Sequence, residues 1–146
     1  MSTVATDGTT MAADSRITDD GGAMDLLNFP KVRRIRDSVV GFAGDVEMGI
    51  LFFNWIEHGE PDDPAQKPQF DDDDFAGLVM RKGGVFWYGK RLIPGGVLSG
   101  SPTAIGSGGD LALGAMLAGK SPAEAVRLAC RVDTNSGGRV KAYKIA

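Results

Sequence analysis

Ser2, Asp14 and Lys31 are residues of this chain whose types could act together on a substrate. Removal of Met1, which a second residue as small as Ser2 permits, would leave Ser2 carrying both a nucleophilic oxygen and a free α-amine. An α-amine titrates near pH ~8, so at neutral pH a useful fraction is an unprotonated base. One residue then supplies nucleophile and base. Asp14 closes a short apolar run before Ser15-Arg16, and Lys31 opens the basic stretch Lys31-Val32-Arg33-Arg34-Ile35. An acid and a lysine thus follow close behind the terminal hydroxyl.

The remaining reactive side chains mostly exclude chemistry. His58 is the one histidine of the chain and lies in Glu57-His58-Gly59-Glu60, a pattern for a helix end where a cationic side chain suits the dipole. A Ser-His-Asp or Cys-His arrangement would have to use it. One Cys and one His cannot fill a zinc sphere, and the run Asp71-Asp72-Asp73-Asp74 lacks the alternating spacing of an acidic metal loop, so no metal and no cofactor is expected. Cys130 stands alone, which excludes an internal disulfide and fits a reducing compartment; in a helical pattern it reads as a buried, inert thiol. A net charge of -3 offers no basic field for phosphate backbones, which argues against nucleic acid. No apolar run approaches the ~20 residues of a membrane span, and the first residues lack a signal-peptide layout, so a cytoplasmic protein without a membrane partner is expected.

The elements that must position these side chains follow from pattern. The length of 146 residues fits one domain, 1–146, and 21 glycines point to many tight turns. Thr3 to Thr6 and Thr9 to Asp14 flank Asp7-Gly8, a hairpin signal in which both turn positions would take positive φ. That hairpin would hold Ser2 near Asp14. Residues 18–28 read as a loop, and Lys31–Arg36 with Val39–Ala43 as a second strand pair turning at Asp37-Ser38. Asp45 caps an apolar helix from Val46 to Glu57, with Val46, Ile50 and Phe53 on one face and Phe52 and Ile56 widening it. Phe52, Phe53 and Trp55 exceed what one helix face usually needs, which suggests assembly into a closed ring. Residues 59–74 form a proline- and aspartate-rich connector. Strands follow at Ala76–Met80, Val85–Tyr88 and about Leu92–Leu98. Then come a helix from about Asp110 to Ala118 and a second opening on the capping box Ser121-Pro122-Ala123-Glu124, with Ala125, Leu128, Ala129 and Val132 as its core stripe. Asp133 to Gly138 is a glycine-rich loop, and Val140–Ile145 alternates as a final strand. This order of elements suggests a layered α+β sandwich.

Five of these segments, in order, resemble the proteasome β-subunits and most closely the bacterial HslV peptidase, both N-terminal-nucleophile hydrolases. Ala12-Ala13-Asp14-Ser15-Arg16 resembles the family's acid after its first hairpin, and Lys31-Val32-Arg33-Arg34-Ile35 the strand of its active-site lysine. Gly41-Phe42-Ala43-Gly44 resembles the strand-to-helix junction whose glycine amide is an oxyanion donor. Ala104-Ile105-Gly106-Ser107-Gly108-Gly109 resembles its Gly-Ser-Gly turn, and Asp133-Thr134-Asn135-Ser136-Gly137-Gly138 its Asp-x-x-Ser-Gly loop. The resemblance implies a four-layer αββα sandwich in which Ser2 is the nucleophile, Lys31 lowers the pKa of its hydroxyl and amine, and Asp14 holds Lys31. By the same resemblance the Gly44 amide stabilises the oxyanion, and Ser107, Asp133 and Ser136 orient the amine. It further implies a peptide or unfolded-protein substrate, a homo-oligomeric ring and an ATPase unfoldase partner.

The chain departs from that pattern in three ways. Serine stands where those relatives use threonine, losing the methyl that restricts χ1. One helix is expected before the connector where the family normally has two, in the layer that helps stack rings or contact the ATPase. Retention of Met1 would leave Ser2 without its amine, which is the basis of an alternative reading as a catalytically silent, structural or assembly ring. A small-molecule amidase is a third reading, with no residue of the sequence to carry it.

Overall fold

The computed structural model of the chain describes residues 2–18, 25–26, 28–70, 74–97 and 101–145. Asp7 turns the chain between β1 (Val4–Thr6) and β2 (Thr10–Ala13), its carboxylate accepting from the amides of Thr9 and Thr10 at 2.9 Å. Thr6 pairs with Met11, and Gly8 takes the positive φ (94°) while Asp7 does not. The connection is therefore a loop braced by the Asp7 side chain rather than a two-residue turn with both φ positive. Short strands β3 (Ile17–Thr18) and β4 (Asp25–Leu26) pair where a plain loop is expected.

The second strand pair is β5 (Val32–Ile35) and β6 (Ser38–Gly44), with Ile35 opposite Ser38. Its turn is thus Arg36-Asp37, one residue earlier than expected, and Arg36 adopts φ 55° to close it. Next come α1 (Val46–Glu57), β7 (Phe75–Arg81), β8 (Gly84–Tyr88) and β9 (Pro94–Val97). The order is completed by β10 (Thr103–Ile105), α2 (Gly109–Leu117), α3 (Pro122–Cys130) and β11 (Lys141–Lys144). Strand β10, like β3 and β4, is an element that pattern reading missed, because Thr103-Ala104-Ile105 is too short to show alternation.

Two antiparallel sheets face each other. One has the order β10-β1-β2-β11, the other β5-β6-β7-β8-β9. Val4, Met11 and Ala13 from the first meet Val32, Val39, Ala43, Leu78, Met80 and Val85 from the second in the middle of the sandwich. Ala112, Ala115, Met116, Ala125, Val126 and Ala129 of α2 and α3 pack on Ala5 and Ala12 across the outer face of the first sheet. On the far side α1 covers the second sheet, where Phe52, Phe53, Trp55 and Ile56 meet Val40, Phe42, Phe75, Val79 and Tyr88. The layers are α2/α3, sheet, sheet, α1.

The helices begin where pattern places them. Asp45 caps α1 by accepting from the Met48 amide at 3.0 Å, and Ser121 and Glu124 close the reciprocal box of α3 at 3.1 and 3.2 Å. The buried stripes differ. In α1 it runs through Gly49, Phe52, Phe53 and Ile56, while Ile50 is 43% and Leu51 46% exposed. In α3 Ala125, Val126 and Ala129 are buried, but Leu128 is 39% exposed, and Val132, beyond the end of the helix, is 64% exposed. The small-residue face wins because it lies on Ala5 and Ala12, where a leucine would hold the helix away.

Phe52, Phe53 and Trp55 are consumed inside the chain. Phe52 lies edge-on to Phe75 at 5.2 Å, Phe53 to Phe42 at 5.3 Å and Trp55 to Tyr88 at 5.9 Å. The aromatic richness of α1 is therefore no argument for a ring. Between α1 and β7 the described residues form no second helix. Phe70 instead inserts from the connector against Phe75 at 4.8 Å, Trp55 Nε1 donates to Pro61 O at 3.1 Å, and Glu60 receives Arg81 at 3.1 Å and the Tyr88 hydroxyl. Asp71, Asp72 and Asp73 lie outside the described residues.

Replacing Phe52 by Ala should cost about 3–5 kcal/mol in chemical denaturation, the usual loss for a buried ring. Ile50→Ala should cost under about 1 kcal/mol on the same measurement if that residue faces solvent. Equal losses would restore the stripe that pattern alone suggests.

Candidate active site

The first hairpin delivers the two ends of the site. Because Val4 pairs with Ala13, the next residues outward are Thr3 and Asp14, joined by Thr3 N donating to Asp14 Oδ1 at 3.0 Å and Asp14 N donating to Thr3 O at 3.2 Å. Lys31, immediately before β5, reaches the same carboxylate: its Nζ lies 3.0 Å from Oδ1 and 2.9 Å from Oδ2. Both side chains are buried. Burial pushes the Lys31 ammonium below its ordinary pKa, and the charge and hydrogen bonds of Asp14 oppose that only in part.

Ser2 lies at the end of this pair. It is 1% exposed, and its Oγ is buried with no hydrogen-bond partner among the described residues. Orphaned buried hydroxyls are uncommon because each forfeits its bonds to water. The Ser2 carbonyl accepts from Gly108 N at 3.3 Å. Gly106, at φ 96°, packs against that carbonyl so closely that a Cβ there would overlap it, and the same Cβ would meet Ala43 at 3.2 Å. Ser2 is thereby located beside Ala43 on β6, whose neighbour is Gly44.

Amide direction on β6 places the Gly44 donor. Phe42 N points toward β5, donating to Lys31 O at 3.0 Å, and Asp45 N points the other way, donating to Asp74 O at 3.0 Å. Alternation along a strand turns Gly44 N to the β5 side, beyond the point where β5 begins at Val32. Only glycine suits the position, since φ is 110° and a Cβ would run into Asp74 O.

A second network closes over the first. Ser107 Oγ and Ser136 Oγ both donate to Asp133 Oδ2, at 2.6 and 2.5 Å, and Asn135 N reaches Oδ1 at 3.3 Å. Burial would raise the Asp133 pKa, but these hydrogen bonds outweigh it and hold the carboxyl below the usual range. The loop is tied to the hairpin by Gly137 N on Asp14 Oδ2 at 3.0 Å and by Ser136 Oγ, 2.7 Å from Thr3 Oγ1. Ser2, Asp14, Lys31, Gly44, Ser107, Asp133 and Ser136 are thus brought to one region by five separate segments.

Thr3 is the residue that sequence reasoning passed over, since a threonine beside a candidate nucleophile carries no pattern of its own. His58 is remote in role, its Nδ1 2.6 Å from Asn54 O at the end of α1. Cys130 is half-buried rather than fully enclosed, and burial raises its thiol to about 11. Among the described residues no group of His, Cys, Asp and Glu could hold a metal ion.

No protein-family profile matches the chain, and no curated protein matches its sequence. Solved structures do match. BPH of Thiobacillus denitrificans in complex with Epoxomicin aligns at TM-score 0.70 and 19% identity, over 99% of this chain and 98% of that one. A second structure of Thiobacillus denitrificans BPH gives 0.67 and 20% over the same shares. The eukaryotic HslV of Trypanosoma brucei gives 0.68 and 21%, over 97% of each chain. The chain has the HslV-like fold.

Asp14→Asn should cost about 3–5 kcal/mol in denaturation, because it leaves the buried Lys31 ammonium without its counter-charge. A loss no larger than that of a surface substitution would mean the pair is solvated in solution.

Proposed function

We propose that this chain is an N-terminal-nucleophile peptidase that cleaves peptide bonds with Ser2, once Met1 has been removed, as part of a homo-oligomeric ring. The observation that carries the reading is the buried Ser2 hydroxyl, without a partner among the described residues, on a residue whose carbonyl packs beside Gly106 and Ala43 and whose neighbour Thr3 is bonded to Asp14 and, through it, Lys31. A hydroxyl kept without a partner is available to a substrate carbonyl. The HslV-like fold supports a peptidase; ring assembly and an ATPase unfoldase rest on the family resemblance.

In this mechanism the Ser2 Oγ attacks the carbonyl carbon of the scissile amide while its proton passes to the Ser2 α-amine. The carbonyl π pair moves to oxygen, where the Gly44 N–H, at the end of β6 and two residues before α1, stabilises it. Collapse of the tetrahedral intermediate breaks the C–N bond, and the α-ammonium returns its proton to the leaving amine. An ester on Ser2 remains. Water then attacks that ester by the same route, releasing the acid and restoring the hydroxyl. Lys31 stays cationic throughout, favouring the oxyanion-like state of Ser2, and its lowered pKa reflects the burial that makes its charge effective.

Intact mass first establishes that Met1 is gone, and turnover of a broad set of fluorogenic peptide amides then tests the activity. Ser2→Ala should abolish turnover and leave assembly unchanged. Ser2→Thr should retain or raise it, because the methyl narrows the rotamer choice. Lys31→Ala should be nearly as damaging as Ser2→Ala, as expected of residues that act as one unit. Processed wild-type protein that turns over no peptide would leave the silent ring as the better reading.

A further inference from the structure

The two residues that follow Met1 are held by segments from the far end of the chain. Ser2 is 1% and Thr3 0% exposed. The Ser2 carbonyl accepts from Gly108 N at 3.3 Å and packs against Gly106, while the Thr3 hydroxyl is 2.7 Å from Ser136 Oγ, with Gly108 so close that a Cβ there would overlap it. Strand β10 pairs Ile105 with Val4, and Gly137 N fastens the 133–138 loop to Asp14, which itself holds Thr3 N. Residues 2 and 3 thus owe their enclosure to roughly the last third of the sequence. Before those segments arrive the terminus has only the β1–β2 hairpin beside it, and a lone hairpin is marginal in water. At about 5–20 residues per second, the roughly 100 residues that separate Ser2 from β10 take on the order of 5–20 s to synthesise.

We infer that the folded domain shields its Met1–Ser2 peptide bond, so that the exopeptidase exposing the Ser2 amine must act before the C-terminal third closes over the terminus. Such an enzyme adds water across that bond, releasing methionine and leaving Ser2 its α-amine. To do so it takes Ser2 and Thr3 into its own cleft as an extended segment. In the folded chain this withdraws two buried residues and breaks their bonds to Asp14, Gly108 and Ser136. Cleavage then tracks the small population in which the terminus is open. Folding therefore sorts the molecules once: those trimmed in time carry the amine, and those that close first keep Met1. The consequence for activity rests on the peptidase reading, whereas the shielding rests on the packing of residues 2 and 3 alone.

The test uses the full chain made by a translation system reconstituted without methionine aminopeptidase, with peptide deformylase present throughout. Purified methionine aminopeptidase is added either during synthesis or after release and folding, and intact mass follows Met1; a synthetic peptide of residues 1–7 gives the rate for an unprotected terminus. Addition during synthesis should trim nearly all chains, and trimming of the folded chain should run at least about fiftyfold slower than that of the peptide; a smaller difference would overturn the inference. Gly108→Ala, whose Cβ collides with the Thr3 hydroxyl, and Ser136→Ala, which removes its partner without a clash, should each speed trimming of the folded chain about fivefold or more. Circular dichroism first shows that each variant is folded, and if Gly108→Ala is not, Ser136→Ala carries the comparison. Equal slowness in wild type and the folded variants would put the barrier outside this packing and sink the inference. So would chains that keep Met1 with the enzyme present throughout synthesis, or folded chains that lose it with no enzyme added. Trimmed protein that turns over no peptide would overturn the peptidase reading and leave the shielding intact.

Discussion

Everything around the candidate nucleophile hangs on one carboxylate. Asp14 accepts from Lys31 with both oxygens, from Thr3 N at the start of β1, from Gly137 N in the loop after α3 and from Arg16 N at 3.3 Å. A carboxylate has about four lone-pair sites, so this one is saturated. The partners come from the terminus, the second sheet and the loop after α3, which no backbone ladder joins directly. A buried ion pair repays its desolvation only when the remaining lone pairs are also bonded, and here they are. Its value is less in net stability than in geometry, since any movement of the terminus, of β5 or of the 133–138 loop breaks a bond to Asp14.

The sandwich around that carboxylate is built from unequal materials. Alanine-rich faces let α2 and α3 approach the first sheet closely, which brings Gly106 and Gly108 over the Ser2 carbonyl and the Thr3 hydroxyl. The second sheet is covered by α1, whose Phe52 and Phe53 rings lie on Phe75 and Phe42 of the sheet, and by a connector that plugs the remaining space with Phe70. Packing is tight enough on this side that a Cβ at Gly49 or Gly77 would strike Phe42 or Phe52. Close packing of this kind replaces the second helix that the family resemblance leads one to expect, so the outer layer is thinner there while the sheet beneath remains dry.

Much of this was legible in the sequence because the signals are local. Asp45 before an apolar run, the Ser121-Glu124 box and the Asp7-Gly8 turn each specify an element boundary by side-chain chemistry within a few residues. The candidate site was legible only through the order of five short motifs, each of which has an ordinary structural explanation. What escaped was set by tertiary contact. Ile50 and Leu128 fit the helical period but face outward, because Phe42 and the Ala5-Ala12 surface decide which neighbouring stripe is buried. Arg36 closes its turn at positive φ, an unfavourable choice that no residue preference announces. Thr3 acquires its place from Ser136, more than a hundred positions away in the chain.

The half-buried Cys130 near this site bears on how the chain meets electrophiles. It is the sole thiol of the sequence, and with its pKa at about 11 roughly one molecule in ten thousand carries the thiolate at pH 7. Reagents that discriminate by softness find little to react with. Among the nucleophiles the folded chain offers to an electrophile, sulfur is then nearly absent at neutral pH, so that selectivity becomes a property of the folded molecule rather than of the reagent.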